Sequence, residues 1–329
     1  MKIVVLANQD RQSQVFKKEH IDFLRTLGDV VLNESIEGPD EQAAIEIVKG
    51  ADIVISSWNC PKMTKPILEN APDLKLLLHA AGSVKGIVSE ELWAKGIRVT
   101  GAAAALGKGV AETALGLTIS SLKNIWNLSN VTRYGGWNAQ NETVREIYDV
   151  TVGVIGAGYA GRHYIKLLQN FDVEILLYDP TLDRDECKLL GTKKVELNEL
   201  MRTSDVVSIH APSIPSTYHL INAENLAIMK DRAVLINTAR GTIIDENALI
   251  VELKLGRISA CIDVTDPEPP AESNELRNLP NVILTPHIAG SVTNGKKRIG
   301  DMIVLELNSY LSDGTLQYEV KQKSISTIA

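Results

Sequence analysis

The chain has 329 residues, 44% of them hydrophobic and 23% charged, with a formal net charge of −7. That length is too great for one ordinary domain and suits two, each with a core of its own. The acidic balance excludes a footprint for nucleic acid or anionic lipid, and no apolar run approaches the roughly 20 residues of a membrane span, so small molecules are the expected partners.

The N-terminal apolar run, residues 3–7, is too short for a signal peptide and reads as a first strand. Further apolar runs at 30–33, 53–56, 74–79 and 97–100 alternate with helical patterns such as 14–24 and 42–49. That alternation predicts a mostly parallel sheet with helices packed on it. Beyond Gly101 the sequence turns to alanines and glycines; residues 106–109 read as a hinge, and a helical stretch from 110 to 128 as the opening of a second domain. An arm without period follows, Thr132 to Asn138, carrying Tyr134 and Trp137. Two aromatics on an arm suit a homodimer interface and equally suit packing onto their own domain.

Strands are next expected at 151–155, 173–178, 206–210, 234–238, 260–264 and 282–285, six in all and enough for a full dinucleotide-binding domain. A last helix, 291 to 311, begins behind Ser291 as N-cap and is expected to cross back onto the first domain, with a second hinge near Gly290. The predicted α/β architecture therefore has a discontinuous domain, 1–107 with 291–329, and a continuous one, 108–290. Cys60, Cys187 and Cys261 are scattered and lack C-x-x-C spacing, so neither a disulfide framework nor a metal site is indicated, and a reducing cytoplasm is the expected compartment.

The motif that names a ligand is Gly156-Ala157-Gly158-Tyr159-Ala160-Gly161, between an expected strand and an expected helix. In a G-x-G-x-x-G turn the first glycine permits the bend and the second lets the backbone approach a pyrophosphate at the helix N-terminus. The third lets helix and strand lie close. Asp179 ends the next strand, roughly twenty residues on, where a carboxylate accepts hydrogen bonds from both ribose hydroxyls and repels a 2′-phosphate. NAD is therefore expected rather than NADP.

Ligands of open α/β sheets bind beyond the carboxyl ends of the strands. Arg240, Glu268 and His287 each follow a strand of the second domain. A histidine can protonate the oxygen formed by hydride transfer to a ketone, and a carboxylate on its other nitrogen fixes the tautomer. An arginine fork can bind a substrate carboxylate and polarise the carbonyl. Taken singly, Arg240 with Glu268 would more often be a structural ion pair and His287 a loop histidine.

The glycine turn, Asn237-Thr-Ala-Arg-Gly241, the run from Asp263 to Glu268-Pro269 and Thr285-Pro-His287, in this order, resemble the D-isomer-specific 2-hydroxyacid dehydrogenases. The resemblance implies two Rossmann-like domains with parallel sheets, the discontinuous one flavodoxin-like and substrate-binding, an active site in the cleft between them, and a homodimer. It implies Arg240 as the substrate-binding residue, His287 as acid/base and Glu268 as its partner. It further implies NAD contacts from His210, Ala211, Pro212 and Thr217, from Thr238, Ala239 and Arg240, and from Asp263 and His287. The implied substrate is a small 2-keto or 2-hydroxy acid.

The substrate end departs from the family. Its Gly-x-Gly-x-Asp loop is here Gly82-Ser83-Val84-Lys85, without the second glycine and the aspartate, and its Asn-x-Pro is here Gly101-Ala-Ala103. The backbone of Gly82, Ser83 and Val84 can still donate, Lys85 adds positive charge, and Trp58 is expected to line the pocket. The chain ends soon after its closing helix, so an appended regulatory domain is not expected. The same residues also suit a non-enzymatic NAD(H)-sensing protein of corepressor type, or a dehydrogenase acting on a non-carboxylate substrate such as phosphite.

Overall fold

The computed structural model describes residues 1–137, 143–290 and 292–328. Asn138 of the arm and the expected N-cap Ser291 lie outside the described residues. The chain divides into two compact units, Met1–Leu106 with Ser291–Ile328, and Gly107–Gly290. Among the described residues no helix is long and apolar enough to cross a membrane.

The first unit is built on β1 (Lys2–Val5), β2 (Asp29–Leu32), β3 (Ile53–Ser56), β4 (Leu76–His79) and β5 (Arg98–Gly101), which pair in parallel in the order β5-β4-β3-β1-β2. This is the flavodoxin-like order. Strands covered on both faces need not alternate, and the runs Ile53–Ser56 and Leu76–His79 are buried throughout. The closing helix Lys297–Asp313 lays Ile299, Met302, Ile303 and Leu307 on the core formed by Ile3, Val5 and Leu24. The polar tail adds a strand that its sequence does not announce, Glu319–Val320, antiparallel to β5. Side chains help to hold it: Arg98 forks onto Glu319 at 2.7 and 3.1 Å, and buried Glu306 accepts the Gln317 and Tyr318 amides.

The second unit holds β6 (Val150–Ile155), β7 (Val173–Tyr178), β8 (Lys193–Lys194), β9 (Val206–Ile209), β10 (Val234–Asn237), β11 (Ser259–Ile262) and β12 (Val282–Leu284), all parallel, in the order β8-β7-β6-β9-β10-β11-β12. This is the doubly wound dinucleotide-binding order with one strand added. The sheet has seven strands where six were expected, because β8 is two lysines long and shows no apolar period.

Two helical expectations are corrected. The single helix at 14–24 is two, Gln9–Val15 and Lys18–Leu27, since buried Phe16 is extended (φ −95°, ψ 141°) and breaks the ladder. The stretch 110–128 is Ala103–Leu122 followed by Ile125–Arg133, separated at Asn124 in the left-handed region (φ 50°). Residues 106–109, expected as a hinge, lie inside Ala103–Leu122, and the division between the two units falls within them, between Leu106 and Gly107. Gly107 serves close approach: a Cβ there would lie 2.9 Å from the Ala160 nitrogen.

Candidate active site

The glycine turn carries β6 into the helix Tyr159–Leu168. Gly156 has φ 91°, and a Cβ on it would meet the Ala211 backbone at 2.8 Å; one on Gly161 would lie 2.1 Å from the Gly156 carbonyl oxygen. Gly158 differs. It N-caps the helix without a side-chain hydrogen bond, and its Cβ position faces open space with no atom within 4 Å. A helix N-terminus with a glycine at its lip and open space beside that glycine fits a pyrophosphate. Tyr159 and Ala160 form the first turn beyond it.

Asp179 closes the rim. One carboxylate oxygen accepts the Ala157 amide at 2.8 Å, and the other accepts the Thr181 amide and hydroxyl at 2.9 and 2.7 Å. A carboxylate has about four lone-pair directions and three are taken, so about one remains for a ribose hydroxyl. Under the turn runs a buried polar chain that the sequence reading missed. The Thr118 and Tyr164 hydroxyls meet at 2.6 Å, Tyr164 bonds onward to Ser208, and the Ser208 hydroxyl lies 2.9 Å from His210 Nε2. Burial pushes His210 down to about 3, and its ring packs 5.0 Å from that of Tyr164. The available signal was Ser208 in an otherwise apolar strand. Beyond Ala211, Thr217 folds the next turn through the Pro212 and Ile214 carbonyls.

Three strand-end turns are joined side by side. After β10, buried Asn237 accepts the Ala239 amide and donates to the Arg240 carbonyl, so the turn exposes the Arg240 side chain. Gly241 brings this turn against the next; its Cβ would lie 2.1 Å from the Thr265 carbonyl carbon. After β11, Asp263 is 2% exposed and takes three donors from the third turn. Its Oδ1 accepts the Thr285 hydroxyl at 2.6 Å and the Ile288 amide at 2.8 Å, and its Oδ2 accepts the Ala289 amide at 2.9 Å. After β12, His287 sits at φ 52° with Nδ1 2.5 Å from Glu268 Oε1. An ionised carboxylate only accepts, so Nδ1 carries the proton and Nε2 is left for a ligand. Asp263, expected on the cofactor alone, thus also holds the His287 turn. Thr238 Oγ1 is buried with no hydrogen-bond partner among the described residues, a vacancy that a ribose hydroxyl fits.

In the first unit the 82–85 loop follows β4. Buried His79 anchors it: Nδ1 lies 2.9 Å from the Ser56 hydroxyl, and the ring also bonds the Ser83 backbone. Gly101 lets the loop lie close, since a Cβ there would come within 3.0 Å of Val84. Lys85 is half-buried at the end of the loop. Trp58, after β3, is half-buried beneath the Arg11 guanidinium, 5.8 Å from the ring centroid.

Residues 115–289 match the model of the D-isomer specific 2-hydroxyacid dehydrogenase family, NAD binding domain. The chain belongs to this family. Among curated relatives it is 34% identical over 294 residues to a D-3-phosphoglycerate dehydrogenase of Methanocaldococcus jannaschii, covering 89% of this chain and 56% of that one. It thus spans little more than half the length of that relative. It is 32% identical to a hydroxypyruvate reductase of Thermotoga maritima, covering 83% of this chain and 89% of the other. Among solved structures, a D-2-hydroxyisocaproate dehydrogenase superposes with a TM-score of 0.78 at 27% identity, over 97% of this chain and 99% of that one. The family's two-domain, parallel-sheet architecture and its NAD-binding domain are both present in this member.

Proposed function

We propose that the chain is an NAD-dependent oxidoreductase that interconverts a 2-keto acid and a D-2-hydroxy acid. The observation that carries this reading is the His287–Glu268 pair, 2.5 Å apart beyond the carboxyl ends of β11 and β12, in the same sheet as the dinucleotide turn. NADH, when bound, supplies the hydride. Arg240 pairs its fork with the substrate carboxylate and draws charge toward the carbonyl oxygen. His287 delivers the proton from Nε2 to that oxygen, while Glu268 holds Nδ1–H and stabilises the imidazolium between turnovers. In the first unit, the Gly82 and Val84 amides make no hydrogen bond among the described residues and are offered to a substrate carboxylate, with Lys85 nearby.

The reading includes a homodimer, since Tyr134 and Trp137 are 86% and 87% exposed. A cytoplasmic setting suits the cysteines: all three are free, and burial pushes Cys60 and Cys261 up to about 11, far from a reactive thiolate.

The test is consumption of NADH with a panel of 2-keto acids, from glyoxylate and pyruvate to branched and sugar-derived acids. His287→Ala should lower turnover by about 10²- to 10⁴-fold with NADH affinity unchanged. Equal losses in both would make the histidine structural and remove the reading.

A further inference from the structure

The carboxyl edge of the first unit's sheet carries a second group of cations that the proposed chemistry does not use. Arg11 follows β1, and its Nη1 donates to Gln14 Oε1 at 3.0 Å. The Lys296 ammonium donates to the same oxygen at 2.6 Å. Two positive charges therefore converge on one neutral atom, with their nitrogens within about 6 Å of each other, where like charges repel. The cluster's carboxylate, Asp10, does not relieve them: it accepts from the amide nitrogen of Gln14, on the far side of that side chain. Neither cation forms an ion pair among the described residues.

The group is also fixed rather than splayed into solvent. Arg11, Gln14, Trp58 and Lys296 are all half-buried, and the Arg11 guanidinium rests over the Trp58 ring. One of the guanidinium's five N–H donors is engaged by Gln14, which leaves the planar fork free for an oxyanion; the ammonium keeps two donors. A preorganised pair of cations with unused donors and no carboxylate partner is an anion receptor.

Its place in the sheet says which anion. The strands β4, β3 and β1 are adjacent and parallel, and they lead into the 82–85 loop, Trp58 and Arg11 respectively. All three features thus lie at the edge where such a sheet binds ligands. On the reading above, the 82–85 loop takes the carboxylate next to the reacting carbonyl. We infer that Arg11 and Lys296, set by Gln14 and Trp58, bind a second anionic group on the substrate. The preferred class is then a 2-keto acid that bears a distal phosphate ester or carboxylate. This rests on the proposed dehydrogenase reading.

The experiment compares kcat/KM for glyoxylate with that for oxaloacetate and 3-phosphohydroxypyruvate, in the wild type and in Arg11→Gln and Lys296→Gln. A distal anion should raise kcat/KM in the wild type, and the ratio to glyoxylate should fall at least tenfold in each variant, chiefly through KM. The larger loss of the two acids tells phosphate ester from carboxylate. A ratio unmoved by both variants overturns the subsite while leaving the dehydrogenase reading intact. If no acid is turned over, the dehydrogenase reading fails instead, and calorimetric titration of the NADH-bound protein with 3-phosphohydroxypyruvate and oxaloacetate decides the subsite. Binding of either acid that weakens at least tenfold in the variants sustains it; no binding, or binding equal to wild type, overturns it.

Discussion

His79 and His210 are buried in their neutral forms, one in each unit, and burial holds them at about 4 and about 3 against an ordinary 6.5. Above pH 6.5 folded and unfolded chains are both neutral at these sites. As the pH falls below 6.5, the unfolded chain takes up protons that the folded chain refuses, so stability is lost on the acid side. The slope is on the order of 1.4 kcal/mol per pH unit per histidine until the folded pKa is reached. Denaturant midpoints should therefore drop between pH 7 and pH 5, and His210→Asn should flatten the fall for the second unit. An unchanged slope in that variant would place the effect on other groups. At this scale the sequence shows residue type well and hydrogen-bond partners poorly. Arg240, Glu268 and His287 are legible as strand-end polar residues, whereas the grip of Asp263 on Thr285, Ile288 and Ala289 is not, because those donors lie more than twenty positions away.

Among the elements, the turn between β6 and its helix separates two uses of glycine. Gly156 and Gly161 are required by the protein's own backbone, which a Cβ would strike. Gly158 is not, since its Cβ would meet nothing within 4 Å. Gly158→Ala should therefore fold with a thermal midpoint close to wild type, yet bind NADH at least tenfold more weakly, as read by fluorescence titration. Weakening of both would show that Gly158 serves the fold; retention of both would show that the pyrophosphate lies elsewhere. The glycine motif was legible because its strand, turn and helix are contiguous. The close approach made at Gly107 was not legible, for the opposite reason. What makes Gly107 necessary is the backbone at Ala160, more than fifty residues away, and a run of small residues looks alike whether it bends or is pressed against a neighbour.

The molecule as a whole presents apolar surface on the helix Ile125–Arg133 and the arm after it: Ile125 and Val131 are partly exposed and Tyr134 and Trp137 almost fully so. If this surface seats a second copy, light scattering should give a dimer for the wild type and a monomer for the double variant Tyr134→Ser, Trp137→Ser, with NADH affinity retained in both. A monomeric wild type would leave those aromatics without that role.

The sequence by itself determined the α/β rhythm, the dinucleotide turn, the carboxylate that ends β7 and the three strand-end residues, because each is set by local periodicity or by spacing within one strand–turn–helix unit. The tertiary structure alone decided what those residues touch. The closing helix returns Lys296 to Gln14 across 282 positions, the tail finds β5 through Arg98 and Glu319, and Asp263 meets the His287 turn. Such contacts follow from which faces are buried together. That is a property of the packed chain, and no window along the sequence contains it.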